Sequence, residues 1–135
     1  MSVHATYNCL CKGVEYEILT SKPELACFCH CNSCNVYGGG AAEVLGCKPS
    51  DFRLVRGDLI KYESSPTKFR LSCKTCGSFA YNILPNGLIV VPLGGLKYTD
   101  PKAERIRANM HIFYAERRGD VDDKFPKFDG WPTPA

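Results

Sequence analysis

The sequence has no long apolar segment and no marked excess of charge of either sign. Its longest apolar run, residues 88–93, is far shorter than the roughly 18–20 residues of a membrane-spanning helix. Lys and Arg number 17 and Asp and Glu 14, so the formal charge at pH 7 is only +3. Proteins whose main partner is nucleic acid usually carry a stronger basic bias. We therefore expect neither a membrane protein nor a nucleic-acid-binding protein.

Residues 1–7 also lack the basic start and apolar core of a secretory signal peptide. In contrast, the sequence contains nine cysteines in 135 residues. Because this number is odd, the cysteines cannot all pair within one chain. A chain without a leader is expected in the cytoplasm, where thiols stay reduced and disulfides are rare. Clustered, reduced cysteines in such a protein indicate bound metal.

Most of the chain alternates apolar and polar residues over short segments that lie between Gly, Pro, Asn, Asp or Ser, as β-strands do. The predicted strands are residues 14–19, 41–45, 52–55, 59–62, 67–71, 79–83, 88–91 and 111–115. The sequence Pro85-Asn86-Gly87 predicts a hairpin turn between the strands at 79–83 and 88–91. Only residues 33–37 and 101–107 have helical character, the second with Asp100 as its N-cap.

These elements predict a single, mainly-β domain with one or two short helices. We assign the domain to residues 1–118 and expect residues 119–135, which contain three prolines, to form an extended C-terminal tail. Phe125, Phe128 and Trp131 in this tail are predicted to pack on the domain. The tail is also the expected contact if the protein forms oligomers.

Seven of the cysteines form three clusters: Cys9-x-Cys11, Cys29-x-Cys31-x-x-Cys34 and Cys73-x-x-Cys76. Cys73 and Cys76, followed by Gly77, have the spacing of a zinc knuckle, because the two-residue spacer curls the backbone around the metal. Such a knuckle needs two more thiolates, and Cys9 and Cys11 are the pair that remains once the central cluster is set aside. The sequence therefore predicts a closed, four-thiolate structural zinc site.

Cys29, Cys31 and Cys34 then remain as three thiolates, and three protein ligands with one open position are typical of catalytic zinc. The alternative is a second structural zinc with a fourth ligand from the chain, for which the candidates are Cys27, Cys47 and His30. Cys27 is favoured because an extended segment places it on the same face as Cys29. Cys47 is expected to be a small buried residue, and His30 is expected to hydrogen-bond near the metal instead of ligating it.

Together these motifs resemble the glutathione-dependent formaldehyde-activating enzyme family, which also includes centromere protein V. The resemblance covers about residues 5–115 and depends on residues 9–14, 29–39, 73–78 and 109–112, in that order. It implies a β-tent fold with a structural zinc on Cys9, Cys11, Cys73 and Cys76 and a catalytic zinc on Cys29, Cys31 and Cys34. The family's named activity is the addition of glutathione to formaldehyde, which gives S-hydroxymethylglutathione. This chain differs from many members in Asn35 and Val36, where they have a basic residue, and in Cys27.

We therefore expect a zinc-dependent carbon–sulfur lyase or synthase that acts on a small-molecule thiol such as glutathione and an aldehyde such as formaldehyde. The predicted site residues are Cys29, Cys31 and Cys34 for catalysis and Gly38, Gly39, Tyr37 and Ser78 for substrate binding. The two glycines would let the ligand approach the backbone closely. Tyr37 and Ser78 would supply polar contacts.

Two other functions remain open at this point. A non-catalytic, zinc-stabilised binding module would hold a closed four-sulfur metal at the central cluster and contact a partner through the aromatic residues of the tail. A type B methionine sulfoxide reductase needs an activated cysteine outside the metal sites. Only Cys27 and Cys47 are left for that role, and neither has an obvious activating base beside it in the sequence.

Overall fold

The computed structural model describes residues 2–132, which form eleven short strands and one α-helix. The strands are β1 (Ala5–Asn8), β2 (Glu15–Ile18), β3 (Leu25–Cys29), β4 (Ala42–Cys47), β5 (Phe52–Arg56), β6 (Leu59–Ser65), β7 (Lys68–Cys73), β8 (Phe79–Ile83), β9 (Ile89–Pro92), β10 (Leu96–Tyr98) and β11 (His111–Ile112). The helix α1 spans Asn32–Gly38, and 3₁₀ turns lie at Pro49–Asp51, Leu93–Gly95 and Tyr114–Glu116. Within residues 2–132, no helix has both the length and the apolar character needed to cross a membrane.

The strands form two sheets. The smaller sheet has the order β10-β1-β2-β5, and the larger has the order β11-β3-β4-β9-β8-β7-β6. All neighbouring strands are antiparallel except β11, which pairs parallel to β3. Both sheets are open, and the arrangement confirms the predicted class, a single mainly-β domain.

The main core lies between the two sheets. Successive side chains of a strand point to opposite faces, so Leu71 of β7 reaches this core while its neighbours in the strand do not face it. Tyr7 and Tyr16 of the smaller sheet stack with 4.5 Å between their ring centroids. Their hydroxyls donate to the carbonyl oxygens of Phe79 and Ala80 at 2.6 and 2.8 Å. The aromatic pair thus adds apolar burial and satisfied hydrogen bonds to the contact between the sheets.

The face of the larger sheet that points away from the main core carries a second, smaller apolar cluster. We call this side of the sheet the outer face. The cluster consists of Cys27, Cys29, Val44, Leu84, Val90 and Ile112. Cys31 and Cys34 from the α1 region, together with Phe113 and Phe128, pack against it. The central group of cysteines therefore lies on the outer face, away from the main core.

The strand pattern and the hairpin were predicted well. Strands β8 and β9 pair antiparallel, and Gly87 in their turn has a φ of 89°, a conformation that favours glycine. The first predicted helix corresponds to α1. Strands β1, β3 and β10 were not predicted. Strand β3 is covered on both faces, so it lacks the alternation by which a half-buried strand is recognised.

The helix predicted over residues 101–107 is wrong. Asp100 accepts a hydrogen bond from a backbone N–H two residues further on at 2.9 Å, but only a turn follows. Beyond it, Ile106 N donates to the Tyr98 hydroxyl at 2.9 Å and Asn109 N donates to Ala26 O at 3.1 Å. Ile106 thus pairs with a side chain outside the segment and Asn109 ties the residues after it to β3, so these contacts override the local N-cap.

The described part of the tail, residues 119–132, lies along β11 and the turn that follows it. Phe128 N donates to His111 O at 2.9 Å, and the Trp131 ring packs edge-on against Phe113 at 5.2 Å between centroids. Phe125 is more loosely placed, with its ring centroid 6.5 Å from that of His111. Residue 1 and residues 133–135, the ends of the predicted domain and tail, lie outside the described residues. Division of the chain at residue 118 and oligomerisation through the tail stay predictions.

Candidate metal centres and cavity

The first candidate metal centre joins the turn after β1 to the turn between β7 and β8. The sulfur atoms of Cys9, Cys11, Cys73 and Cys76 all lie within 4.8 Å of one another. Cys11 Sγ is 3.6 Å from Cys9 Sγ and 3.6 Å from Cys73 Sγ. Since β1 belongs to the smaller sheet and β7 and β8 to the larger one, this four-cysteine centre links the two sheets.

Backbone geometry supports the knuckle at this centre. Gly77 has a φ of 75° and its N–H donates to Cys73 O at 2.9 Å. Cys76 N donates to Cys73 Sγ at 3.5 Å, and Val14 N donates to Cys9 Sγ at 3.3 Å. Hydrogen bonds of this kind stabilise the thiolate, which is the form of cysteine that binds metal.

Ser78 belongs to the four-cysteine centre. Leu10 N donates to Ser78 Oγ at 3.2 Å, and the hydroxyl lies 3.1 Å from Cys76 Sγ. That hydrogen bond holds the pKa of the Cys76 thiol below its ordinary value. The hydroxyl of Ser78 is thus engaged at this centre, and Ser78 is not among the residues that line the cavity described below. That Ser78 contacts substrate stays a prediction.

The second candidate metal centre comes from the end of β3 and the start of α1. Cys29 Sγ lies 3.5 Å from Cys31 Sγ, and the sulfurs of Cys29, Cys31 and Cys34 all lie within 4.8 Å of one another. Cys31 is the N-cap of α1, and its Sγ accepts a hydrogen bond from Cys34 N at 3.4 Å. Hydrogen bonds from the Cys29 and Cys34 thiols hold the pKa of Cys31 far below its ordinary value. At this three-cysteine centre the chain therefore favours the thiolate form of Cys31, whereas the hydrogen bond with Cys31 raises the pKa of Cys29.

Among residues 2–132, no fourth Cys, His, Asp or Glu ligand atom joins these three sulfurs within the same distance. Cys27, the favoured fourth ligand of the closed-site alternative, is instead buried in the apolar cluster of the outer face. Cys47 is buried in the main core, as predicted. Burial raises the pKa of both thiols to about 12, the opposite of the activation that a redox-active cysteine needs. These observations disfavour both the closed central site and the reductase alternative.

The donor sets of both centres fit a tetrahedral ion that binds thiolates, such as zinc. With Zn–S bonds of about 2.3 Å, tetrahedral geometry places the sulfurs about 3.8 Å apart. The measured separations of neighbouring sulfurs are 3.5 and 3.6 Å. Four thiolates make a closed site, whereas three leave one position for another ligand.

A cavity of about 340 Å³ lies beside the three-cysteine centre on the outer face. Its walls are largely apolar and include Leu25, Val44, Phe79, Leu84, Val90 and Ile112. Tyr37 and Gly38, both predicted to contact substrate, line it. Gly39 ends α1 with a φ of 81°, and its N–H donates to Asn35 O at 2.9 Å. A glycine at this position is therefore explained by the helix cap.

Two polar side chains that line the cavity, Arg70 and Asn82, were not predicted from the sequence as site residues. They lie opposite each other on β7 and β8. The Arg70 guanidinium also lies over the Tyr37 ring, 5.0 Å from its centroid. The strand alternation places both residues on the face opposite Leu71, but the sequence does not show that this face is covered.

A chain of hydrogen bonds connects the three-cysteine segment to the tail. His30 Nε2 lies 2.8 Å from His111 Nδ1, and His111 Nε2 donates to Asp123 Oδ2 at 2.7 Å. Lys127 Nζ donates to Asp123 Oδ1 at 2.8 Å and, together with His111, lowers the pKa of that carboxyl to about 2. Burial lowers the pKa of His30. His30 is thus held by a hydrogen bond and does not join the sulfurs, in line with its predicted role.

The chain is similar to proteins of one family. The family model described as "Glutathione-dependent formaldehyde-activating enzyme" matches residues 4–116. A Schizosaccharomyces pombe protein named as an uncharacterized lyase is 31% identical over 80 residues, which cover 59% of this chain and 58% of that relative. The chain therefore spans little more than half the length of this relative. The crystal structure of a Rhodobacter sphaeroides protein matches with a TM-score of 0.60 and 26% identity, over 72% of this chain and 92% of that one.

Proposed function

The chain belongs to the glutathione-dependent formaldehyde-activating enzyme family, and we propose that it forms and breaks carbon–sulfur bonds between a small-molecule thiol and an aldehyde. Glutathione and formaldehyde are the substrates that the family description suggests. The observation that supports this proposal is the group of three cysteine sulfurs beside a cavity, with one ligand fewer than a tetrahedral ion requires.

Cys29, Cys31 and Cys34 would hold the ion at this centre. A zinc ion bound there would stabilise the thiolate form of an incoming thiol. In the addition, the thiol sulfur bonds to the aldehyde carbon and the thiol proton passes to the aldehyde oxygen, so no oxidant or reductant is needed. The largely apolar walls of the cavity would disfavour competing water, while Tyr37 and Gly38 line the space that the substrate would occupy.

Cys9, Cys11, Cys73 and Cys76 would hold a second zinc with a structural role. Their site is closed by four sulfurs and joins both sheets, so it has no position for a substrate. The two ions would therefore divide stability and chemistry between them.

The proposal is tested by zinc content per chain and by calorimetric binding of glutathione. We expect two zinc ions in the wild type and one in Cys29→Ser, Cys31→Ser and Cys34→Ser, with loss of glutathione binding in each variant. Cys47→Ala is the matched control, because it removes a buried sulfur from outside both centres and should keep both ions and the affinity. Unchanged glutathione affinity in all three central variants would contradict the proposal.

A further inference from the structure

We propose that Arg70 forms a subsite that binds the carboxylate of an acidic thiol in the cavity beside the three-cysteine centre, with Asn82 next to it as an acceptor for a donor of the same ligand. The inference rests on the proposed function, since it identifies the class of thiol that this same site accepts. It concerns two side chains to which neither the cysteine motifs nor the family resemblance assigns a role.

Both side chains are polar groups on a covered face. Arg70 and Asn82 are a directly opposed pair on the antiparallel strands β7 and β8, so their side chains leave the sheet on the same side. Only 6% of Arg70 and 7% of Asn82 is exposed. Both line the cavity together with the three cysteines, which places them within the same enclosed space as the sulfurs.

Within residues 2–132, neither group finds a full set of partners. The ion pairs formed among residues 2–132 do not include Arg70, whose guanidinium instead lies over the Tyr37 ring. Asn82 Oδ1 is buried and, within the same described residues, accepts no hydrogen bond. Buried charges are normally paired and buried polar atoms normally hydrogen-bonded, because leaving them without partners is unfavourable. A ligand that supplies both partners would resolve this.

A carboxylate is the group that Arg70 is suited to bind. The planar guanidinium donates two parallel hydrogen bonds to the two oxygens of one carboxylate, and the low dielectric of a covered site strengthens the contact. Asn82 adds an acceptor beside it for a donor of the same ligand. The remaining walls are largely apolar, so the expected ligand is a small thiol with a short carbon chain between its sulfur and a carboxylate.

A competing role for Arg70 is to balance the negative charge of the three thiolates. The other charged groups that line the cavity are Lys68, which is half-buried, and Glu116, whose Oε1 accepts a hydrogen bond from Asn32 N at 3.1 Å. A guanidinium that only balances the sulfurs would not distinguish an acidic thiol from its uncharged amide. A carboxylate subsite would distinguish them, and this difference decides between the two roles.

The test compares 3-mercaptopropionate with 3-mercaptopropanamide by calorimetry on the zinc-loaded protein. The two thiols have the same length and differ in charge. We expect the acid to bind the wild type about tenfold or more tightly than the amide, because hydrogen bonds to charged groups are stronger than those to neutral ones. Trp131, the only tryptophan, lines the cavity, so quenching of its fluorescence locates the ligand.

Substitutions then assign the preference to Arg70. Arg70→Gln should bring the ratio of the two affinities close to one while the amide binds as before, and Arg70→Lys should retain part of the preference. Arg53→Gln is the matched control, because Arg53 lies on the smaller sheet and pairs with Glu17. Circular dichroism verifies the fold. If Arg70→Gln does not fold, the wild-type ratio and Arg70→Lys decide the question.

Two outcomes would overturn the subsite: equal affinity of the wild type for both thiols, or equal weakening of both by Arg70→Gln. Binding of both thiols without preference would leave the proposed function standing. Propionate, which has a carboxylate and no thiol, tests the opposite case, in which the subsite is correct and the proposed function is wrong. If the amide does not bind and 3-mercaptopropionate binds no more tightly than propionate, both in an Arg70-dependent manner, the subsite stands and the proposed function fails. If none of the three compounds binds, both fail.

Discussion

The four-cysteine centre joins sulfurs from distant segments, such as Cys11 and Cys73, which lie 62 residues apart in the sequence, whereas the three-cysteine centre is built from one short segment, residues 29–34. The first links the two sheets and has every ligand position filled by the chain. The second begins a helix on the outer face of one sheet and lies beside a cavity. The same type of side chain is therefore arranged in two different ways.

The separation in sequence accounts for this difference. A crosslink between distant segments removes much of the freedom of the unfolded chain, and binding of metal to such a site contributes directly to folding. A centre built from neighbouring residues closes only a short loop, so losing its ion leaves the rest of the fold connected. Under the proposed function, the local centre would therefore keep one ligand position open without loss of the fold.

The largest expected effect is the loss of folding on breaking the four-cysteine centre. Cys73→Ser removes the sulfur that Cys11 approaches from the other sheet. Structural zinc contributes about 10–16 kcal/mol in small zinc-dependent domains, which is comparable to the entire stability of a typical protein. We expect no cooperative thermal transition in circular dichroism for this variant. If the variant bound no zinc at the four-cysteine centre and still unfolded at the wild-type melting temperature, the contrast drawn between the two centres would be wrong.

The second-largest expected effect is a difference in how easily a chelator removes the two ions. On stepwise addition of a chelator, the ion of the three-cysteine centre should leave first, because the chain supplies only three ligands and a competitor can occupy the remaining position. The β-sheet signal in circular dichroism should persist after the first ion leaves and collapse with the second. Zinc release measured with a colorimetric indicator checks the order. Simultaneous release of both ions would show that the centres are not independent.

A smaller effect is expected from the hydrogen bonds that connect His30 to the tail. Asp123→Asn weakens the contacts of this carboxyl with Lys127 and His111 and should lower the melting temperature at pH 7. The pKa of Asp123 is lowered from 3.8 to about 2, so the unfolded state binds its proton first as the pH falls. The stabilisation is therefore complete above pH 3.8 and is lost towards pH 2.

Thermal unfolding of the wild type and Asp123→Asn across this pH range provides the measurement. The difference between their melting temperatures should shrink on acidification. Asp122→Asn is the matched control, because it removes the neighbouring charge and leaves the Asp123 contacts intact. A difference that grows as the pH falls would contradict the assignment of the stabilisation to the Asp123 carboxylate.

The smallest effect should follow from the cap of α1. Gly39→Ala introduces a side chain at a φ of 81°, which costs about 1 kcal/mol where a left-handed residue is required. We expect faster zinc release from the three-cysteine centre and unchanged release from the four-cysteine centre. Gly40→Ala is the matched control, since Gly40 has no positive φ and has open space around its Cα. Equal effects of both substitutions would exclude the cap as the cause.

Local patterns predicted much of this protein. The spacing of Cys73 and Cys76 with Gly77 indicates a knuckle because ligand geometry within four residues depends on the local backbone. The turn at Asn86-Gly87 and the helix at residues 33–37 were recognised for the same reason. The helix predicted after Asp100 was wrong: Ile106 N donates to the Tyr98 hydroxyl instead of to a helical carbonyl, and a side-chain partner of this kind depends on the tertiary arrangement.

By itself, the sequence determined that cysteines would be grouped for metal binding and that short strands would dominate, since both depend on residues that are neighbours in the chain. Only the tertiary structure decided that Ser78 would serve the four-cysteine centre and that Arg70 and Asn82 would be buried beside the other one. Strand alternation assigns a residue to one of two faces. Whether that face meets water, another sheet or a cavity depends on what covers it, and here the cover comes from α1 and residues far along the chain.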